Sequence, residues 1–409
     1  PDFYFRRFGN VTESFSGVLM IISFTILVAG NLAASGFLLS VVFDIDFWWG
    51  ILISALLVLL YTALGGLFAS AYTNLFQVYL AVGGLWAALF FFMSPASPVP
   101  FDAMMGAAPE GFLDLSGLYD PAAGAYLNWA GLLALAIGDV VALDFMERVF
   151  AAKDPKTARR GAFLGGAITL STVVPASLIG IFAITLLPGF DDPFAVMPTL
   201  AMEHLPFAIG AALLMGVIGA SMSTASGGLL AVSTVVGRNM LQRNIVRTLL
   251  KRPAIGDKKL LWVTRTITVP MVVAALLLGY FVPEPGIFLI LAFDVVFAGA
   301  FVPLALGIYW KKANASAALA SLAVGSGLRL ALFITIPEDL AGLDTMIPPV
   351  VSLAVFVGVA LATQNKWVPR HAVISYIPAD ELVVTARELD DIDPTTGEQK
   401  GGASPGRRS

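Results

Sequence analysis

Long apolar runs alternate with short polar gaps over most of this chain. A membrane-spanning helix needs about 20 consecutive apolar residues, and the sequence offers about ten such runs. They are Ser14–Phe43, Trp48–Ala69, Leu75–Met93, Tyr126–Phe150, Phe163–Leu187, Phe207–Val236, Leu260–Val282, Gly286–Trp310, Ala315–Ile336 and Ile347–Ala362. The last is the shortest and opens on Pro348-Pro349. The first and sixth are long enough to tilt or to run out of the bilayer. The pattern predicts an all-α polytopic membrane protein, with residues 1–363 as its transmembrane domain. The Pro- and Gly-rich stretch Ser94–Ala125 has room for a short interfacial helix. Residues 364–409 turn acidic and then Gly/Ser/Pro-rich. They are read as a cytoplasmic tail, largely disordered, because such a composition cannot build a core.

The charges sort themselves between the gaps. One set of alternate gaps holds Arg6, Arg7, Lys153, Lys156, Arg159, Arg160, the run from Arg238 to Lys259, Lys311, Lys312 and the basic residues of the tail. The other holds Asp44, Asp46, Asp102, Glu110, Asp114, Asp120, Asp191, Asp192, Glu203, Glu284, Glu338, Asp339 and Asp344, with no lysine or arginine. Short basic loops stay on the cytoplasmic side during insertion. Both termini and the Arg238–Lys259 loop are therefore expected in the cytoplasm of a multi-pass protein of the cell membrane. That loop carries seven basic residues and is expected to touch anionic head groups.

Composition agrees. Hydrophobic residues make up 58% and charged residues 13%, about half the charge of a soluble domain, and the mean hydropathy is +0.85. The net charge of −4 conceals the segregation and points to no nucleic-acid partner; the expected partners are the lipid bilayer and a small solute. The absence of cysteine excludes disulfides, thiolate metal sites and iron–sulfur clusters. His204 and His371, the only histidines, do not make a metal site. Asn10-Val11-Thr12 and Asn314-Ala315-Ser316 match the glycosylation pattern, but both fall on the expected cytoplasmic side. No P-loop or dinucleotide fingerprint is present, and no nucleophile–base pair argues for an enzyme.

Candidate chemistry lies inside the spans. The sixth reads Gly216-Val217-Ile218-Gly219-Ala220-Ser221-Met222-Ser223-Thr224-Ala225-Ser226-Gly227-Gly228. Ala220, Ser223 and Thr224 are spaced i, i+3, i+4 and share one helical face. A carbonyl with two hydroxyls suits a hard cation such as sodium. Hydroxyls in membrane helices also bond back to their own backbone and line close helix contacts, so both readings stand on spacing alone. Charged groups inside spans are costly and usually face the protein interior or water. Asp144 and Arg148 are expected to pair at i, i+4, with Glu147 beside them. Asp139 lies deeper without a local partner, and Asp294 has no basic residue within two turns of it in sequence. These two are the candidate substrate-binding residues. Arg329 is a possible counter-ion for one of them, and Arg265 sits near the inner end of its span.

Four motifs resemble one family. Tyr61-Thr62-Ala63-Leu64-Gly65-Gly66-Leu67 followed by Tyr72-Thr73-Asn74-Leu75-Phe76-Gln77 resembles the signature joining two helices of sodium:solute symporters. Glu147-Arg148-Val149-Phe150-Ala151-Ala152-Lys153 resembles their basic inner loop, Met222-Ser223-Thr224-Ala225-Ser226 their sodium-site helix, and Leu306-Gly307-Ile308-Tyr309-Trp310-Lys311-Lys312 the end of a late core helix. The resemblance implies a LeuT-type inverted-repeat bundle with a midplane site. In that frame the ten spans are core helices 3 to 10 plus two peripheral helices, and the chain is N-terminally incomplete. It also implies that Ala220, Ser223 and Thr224 bind a sodium ion, with further ligands from outside this sequence. Some family members have an aspartate at the position of Asn74 and use it for a second cation together with hydroxyls like that of Ser226. Here Asn74 is neutral and Gly227 replaces a usual serine, which implies one sodium. A gate aromatic of sugar carriers falls near Gly138-Asp139, which argues against sugar.

The expected function is therefore sodium-coupled symport of a small organic solute, an amino acid or small carboxylate, by alternating access. A transporter-like sensory domain and a non-functional fragment are the alternatives. Topology is directly testable, because the chain has no cysteine of its own. Cysteines placed at Pro98 and Gly256 are expected to differ: an impermeant thiol reagent added to intact cells labels the first and not the second. Labelling of Gly256→Cys from outside would reverse the orientation.

Overall fold

The computed structural model describes residues 1–106, 114–190, 192–282 and 285–363. The expected tail, His371 among its residues, lies outside the described residues, as do Glu110, Asp191 and Glu284 of the acidic gaps. The described chain is a helical bundle. A short α1 (Asp2–Phe8) is followed by α2 (Asn10–Phe43), α3 (Phe47–Phe92), α4 (Phe101–Gly106), α5 (Ala125–Gly138), α6 (Leu143–Phe150), α7 (Pro155–Leu186), α8 (Val196–Glu203), α9 (Phe207–Thr234), α10 (Asp257–Phe281), α11 (Pro285–Tyr309), α12 (Ala315–Thr335) and α13 (Leu343–Thr363). Eight of these helices are long and apolar enough to cross a membrane, and the bent pair α5–α6 makes nine. α3 has 46 residues and would run about 70 Å at 1.5 Å per residue, more than twice the hydrocarbon thickness. It breaks at Gly66 (φ 57, ψ −149), a conformation closed to residues with a Cβ. Counted as two spans, it brings the total to the expected ten.

Three boundaries differ from the sequence reading. The polar gap between the second and third runs, Ser70–Asn74, stays helical, and the chain turns at Gly66 instead, because only glycine tolerates that φ/ψ pair. The fourth run is not one helix. α5 ends at Gly138, a 3-10 turn covers Asp139–Val141, Ala142 is extended, and α6 starts anew at a bend of 43°. The sixth run does not stop near Val236 but continues as a π-helix over Val235–Leu249. That segment is far longer than the usual single π turn. Its base is tied down: Arg243 reaches Asp2 at 2.6 Å and also the fully buried Glu13, and Asn239 donates to both carboxylates. The expected short helix in the Ser94–Ala125 segment is α4.

Helix starts follow from capping chemistry. Asp46 accepts from the Trp48 amide at 2.8 Å, Asp154 from the Thr157 amide at 2.8 Å, and Asn314 from the Ala317 amide at 2.9 Å. The Thr157 amide and hydroxyl hold the exposed Asp154 carboxyl below its ordinary range. Outward faces carry large apolar side chains such as Phe68, Phe163, Phe207 and Ile334, as a lipid solvent requires. Inward, polar groups pair across helices: Ser35 with Ser54 at 2.5 Å, and Ser321 with Ser352 at 2.7 Å.

The strongest of these pairings joins the last three helices. Asp294 of α11 is 0% exposed. Its Oδ2 accepts from Arg329 Nη2 at 2.8 Å and from the Thr345 hydroxyl at 2.8 Å. Arg329 also reaches Asp344 at 2.8 Å. Removing one member of a buried charge pair costs about 3–5 kcal/mol, whereas a neutral hydrogen bond contributes about 1 kcal/mol. Arg329→Leu is accordingly expected to lower the melting temperature in detergent far more than Ser321→Ala does. Equal melting of the two variants would show that the charge cluster does not hold these helices.

Candidate functional site

α9 is the helix on which the candidate residues meet. Its small residues let other backbones come close. A Cβ on Gly216 would meet the Ala81 backbone nitrogen at 2.8 Å, and one on Gly219 would meet the Gln77 side chain at 2.8 Å. This holds the second half of α3 tightly against α9. Tyr61, before the Gly66 break, donates to the Met222 carbonyl at 2.7 Å. After the break, the Ser70 and Ser226 hydroxyls lie 3.1 Å apart.

The predicted cation residues converge on one atom. Ser223 Oγ donates to the Ala220 carbonyl at 2.7 Å, and Thr224 Oγ1 to the same carbonyl at 3.2 Å. Three oxygens are thus gathered within one turn. Ala220 is exposed, and Ser223 and Thr224 are half-buried. Among the described residues, then, this mid-span oxygen cluster lies on a face that no helix closes over. Its neighbour Met222 points into the core with Ala225 and Leu229. The back-bonding expected of membrane hydroxyls occurs: both hydroxyl hydrogens point at the Ala220 carbonyl, and a cation bound there would have to turn them away.

The two candidate carboxylates have different surroundings. Asp139 stands at the break between α5 and α6, half-buried; its carbonyl accepts from the Ala142 amide at 3.0 Å, but its carboxylate forms no hydrogen bond or ion pair among the described residues. The preceding Gly138 packs on α11, where a Cβ would come within 3.2 Å of the Phe293 carbonyl. Non-helical backbone at membrane depth is tolerated where it lines a cavity or is buried in protein. The break was not legible in the sequence, because the run Tyr126–Phe150 carries no proline; Gly138 beside Asp139 was the only signal. Asp294, the other sequence-predicted substrate residue, is committed to Arg329 and Thr345 inside the α11–α12–α13 interface. The sequence offered Arg329 as a counter-ion for one of the two carboxylates, and the structure gives it to Asp294, 35 residues away.

Arg148 occupies a position that sequence reasoning missed. The expected pair with Asp144 forms, at 3.2 Å. The guanidinium also lies against Gly227 of α9: a Cβ there would meet Nη2 at 2.6 Å and Nη1 at 3.2 Å. With its amide oriented to satisfy both groups, Asn74 accepts from Nη2 at 3.0 Å and donates to the Ser70 carbonyl at 2.9 Å. A positive charge from α6 therefore sits among Asn74, Asp144 and Gly227, one turn from Thr224. The absent side chain at Gly227 is what makes room for it. Among the described residues no group of three or more carboxylates or histidines could hold a metal ion.

A family model described as the sodium:solute symporter family matches residues 1–325. The human high affinity choline transporter 1 is 27% identical over 74% of this chain and 53% of its own length. The osmoregulated proline transporter OpuE of Bacillus subtilis (strain 168) is 26% identical over 92% of this chain and 75% of its own length. The chain thus spans about half the length of the first relative and three quarters of the second. A solved structure of a Na+-coupled sialic acid symporter, substrate-bound and outward-open, superposes with a TM-score of 0.73 at 16% identity, covering 88% of this chain and 76% of that one. That likeness is one of fold.

The Arg148–Gly227 contact predicts a coupled pair of substitutions. Gly227→Ala forces the guanidinium off α9 and breaks its bond to Asn74. In an Arg148→Ala background the same substitution has nothing to displace. Melting temperatures of the two single variants and the double variant should therefore be non-additive, by about 1 kcal/mol. Additive effects would mean that the two groups do not touch.

Proposed function

The chain belongs to the sodium:solute symporter family, and on that premise we propose that the full-length protein couples entry of one sodium ion to symport of a small organic solute by alternating access. The observation that carries this reading is the oxygen cluster of Ala220, Ser223 and Thr224 on an uncovered face of α9. A hydroxyl-rich patch at mid-span that no described helix covers is costly in lipid unless something polar faces it. Sodium, small and oxygen-seeking, completes its shell there with groups from outside this cluster. Sodium binding ties α9 to the facing elements and stabilises the solute-ready state, and the coupling is reciprocal.

The solute in this reading carries a cationic nitrogen, an amino acid foremost within the broader class of amino acids and small carboxylates. Asp139 supports this. It is a carboxylate without a protein partner among the described residues, set where a helix is interrupted, and such interruptions are where transporters of this architecture bind substrate. Proline and choline, named for the two relatives, share a positively charged nitrogen. Asp294 has a structural role in this reading, since Arg329 already neutralises it. The coupling ratio of one rests on Arg148: the neutral Asn74 and the bare Gly227 leave no anionic pocket for a second sodium, and a tethered guanidinium stands there instead.

Uptake into proteoliposomes tests the proposal. Labelled proline, choline and a small carboxylate without nitrogen are offered with and without an inward sodium gradient. A solute with a cationic nitrogen is expected to accumulate only with the gradient, with one sodium per solute from the reversal potential. Asp139→Asn removes a charge-assisted contact worth about 1.5–3 kcal/mol, so apparent solute affinity should fall about ten- to hundredfold with protein levels unchanged. Sodium-independent accumulation, or a coupling of two, would overturn the proposal.

A further inference from the structure

The break at Gly66 opens a second site. A cavity of ≈ 340 Å³ lies between Gly66, the α9–π junction, α10 and the end of α6. It sits at the end of the bundle that carries the basic residues. Its floor includes Thr62, which is 2% exposed and whose hydroxyl has no hydrogen-bond partner among the described residues. Four charged side chains line the walls: Arg238 and Arg265 of one sign, Glu147 and Asp257 of the other. Among the described residues none of these four forms an ion pair with another. The nearest carboxylate to Arg238 is Asp2 at 3.9 Å, and Asp2 is already held by Arg243 at 2.6 Å. Among the described residues Arg265 forms no ion pair and lies over the ring of Trp262, at 5.9 Å.

A wall that offers both signs, none paired with another across the cavity, around a hydroxyl floor recognises a molecule that carries both signs. Two guanidinium groups suit phosphate better than carboxylate, because each presents a planar fork of donors. Two carboxylates suit a primary ammonium with its three donors. The rim turns apolar, since Leu67 and Leu260 line the cavity beside the exposed Leu261. Pockets of this kind between helices, at the inner side of a membrane, hold lipid head groups. We propose that this cavity binds a phosphoethanolamine zwitterion, its phosphate toward Arg238 and Arg265 and its ammonium toward Glu147 and Asp257. The ligand comes either as the head group of phosphatidylethanolamine, with acyl chains leaving over the leucines, or as a free zwitterion of the same chemistry. The site is separate from the sodium and solute residues, and its occupancy does not depend on what the protein transports.

The test is thermal stability of the delipidated full-length protein in detergent, titrated with phosphatidylethanolamine, with phosphatidylglycerol and with free O-phosphoethanolamine. Phosphatidylethanolamine is expected to raise the melting temperature saturably while phosphatidylglycerol, which lacks the ammonium, does not. A matching response to O-phosphoethanolamine identifies a free zwitterion as ligand, and silence there identifies the lipid. Arg265→Gln should raise the half-saturating concentration about tenfold. Asp257→Asn, at an exposed helix start that the fold tolerates losing, should do likewise. Equal stabilisation by phosphatidylglycerol, no stabilisation by either ethanolamine compound, or unaltered titrations in both variants would overturn the assignment.

Discussion

Inside a bilayer a polar group finds no water, so every donor and acceptor must be satisfied by the protein or by what the protein binds. This constraint orders the whole molecule. Most hydroxyls in the spans bond back to a carbonyl of their own helix, and other polar groups pair between helices. Hydroxyls pair across α2 and α3 and across α12 and α13, and the Asp294–Arg329–Asp344 cluster closes the C-terminal three helices. What is left over after this pairing is informative. The Ala220 cluster and Asp139 are polar, lie in membrane-spanning segments and are not enclosed by described helices. In the proposed reading these are the places where sodium and solute bind.

The same constraint explains the form of α9. A helix that must accept α2, α3, α6 and α10 around it cannot carry bulk on every side. Glycines at 216, 219, 227 and 228 give way to the Ala81 backbone, the Gln77 side chain, the Arg148 guanidinium and the Val28 side chain in turn. Ser223 and Thr224 fall between those glycines and stay half-buried, while Ser226 turns inward to Ser70. Close approach and the proposed cation chemistry are thus two faces of one small-residue helix. Gly227 shows how finely they are joined: losing a side chain there admits a positive charge from α6, where a larger residue would exclude it.

Much of this was readable in the sequence, for a physical reason. Lipid imposes a run length of about 20 apolar residues, so the spans declare themselves, and the i, i+3, i+4 spacing placed Ala220, Ser223 and Thr224 together before any coordinates. The i, i+4 pair of Asp144 and Arg148 was legible in the same local way. Backbone irregularity was not. Gly66 rather than Ser70–Asn74 turns α3, and α5 breaks after Gly138, because φ/ψ choices leave hydropathy unchanged. Partnerships across the chain were legible only in part. Arg329 was offered as a counter-ion for Asp139 or Asp294 without a choice between them, and nothing in the sequence adds Asp344 or seats Arg148 on Gly227, since these depend on which helices become neighbours.

The central claim is that the Ala220 face of α9 holds sodium, and equilibrium binding of radiolabelled sodium to the purified full-length protein addresses it without any choice of solute. Removing one hydroxyl ligand should cost about 1–3 kcal/mol, or roughly ten- to hundredfold in affinity. Thr224→Ala and Ser223→Ala are each predicted to weaken sodium binding by that factor. Ser221→Ala, about 100° round the helix from Ala220, should bind as the parent does. Unchanged sodium affinity in Thr224→Ala and Ser223→Ala, with a parent protein that binds sodium, would contradict the account.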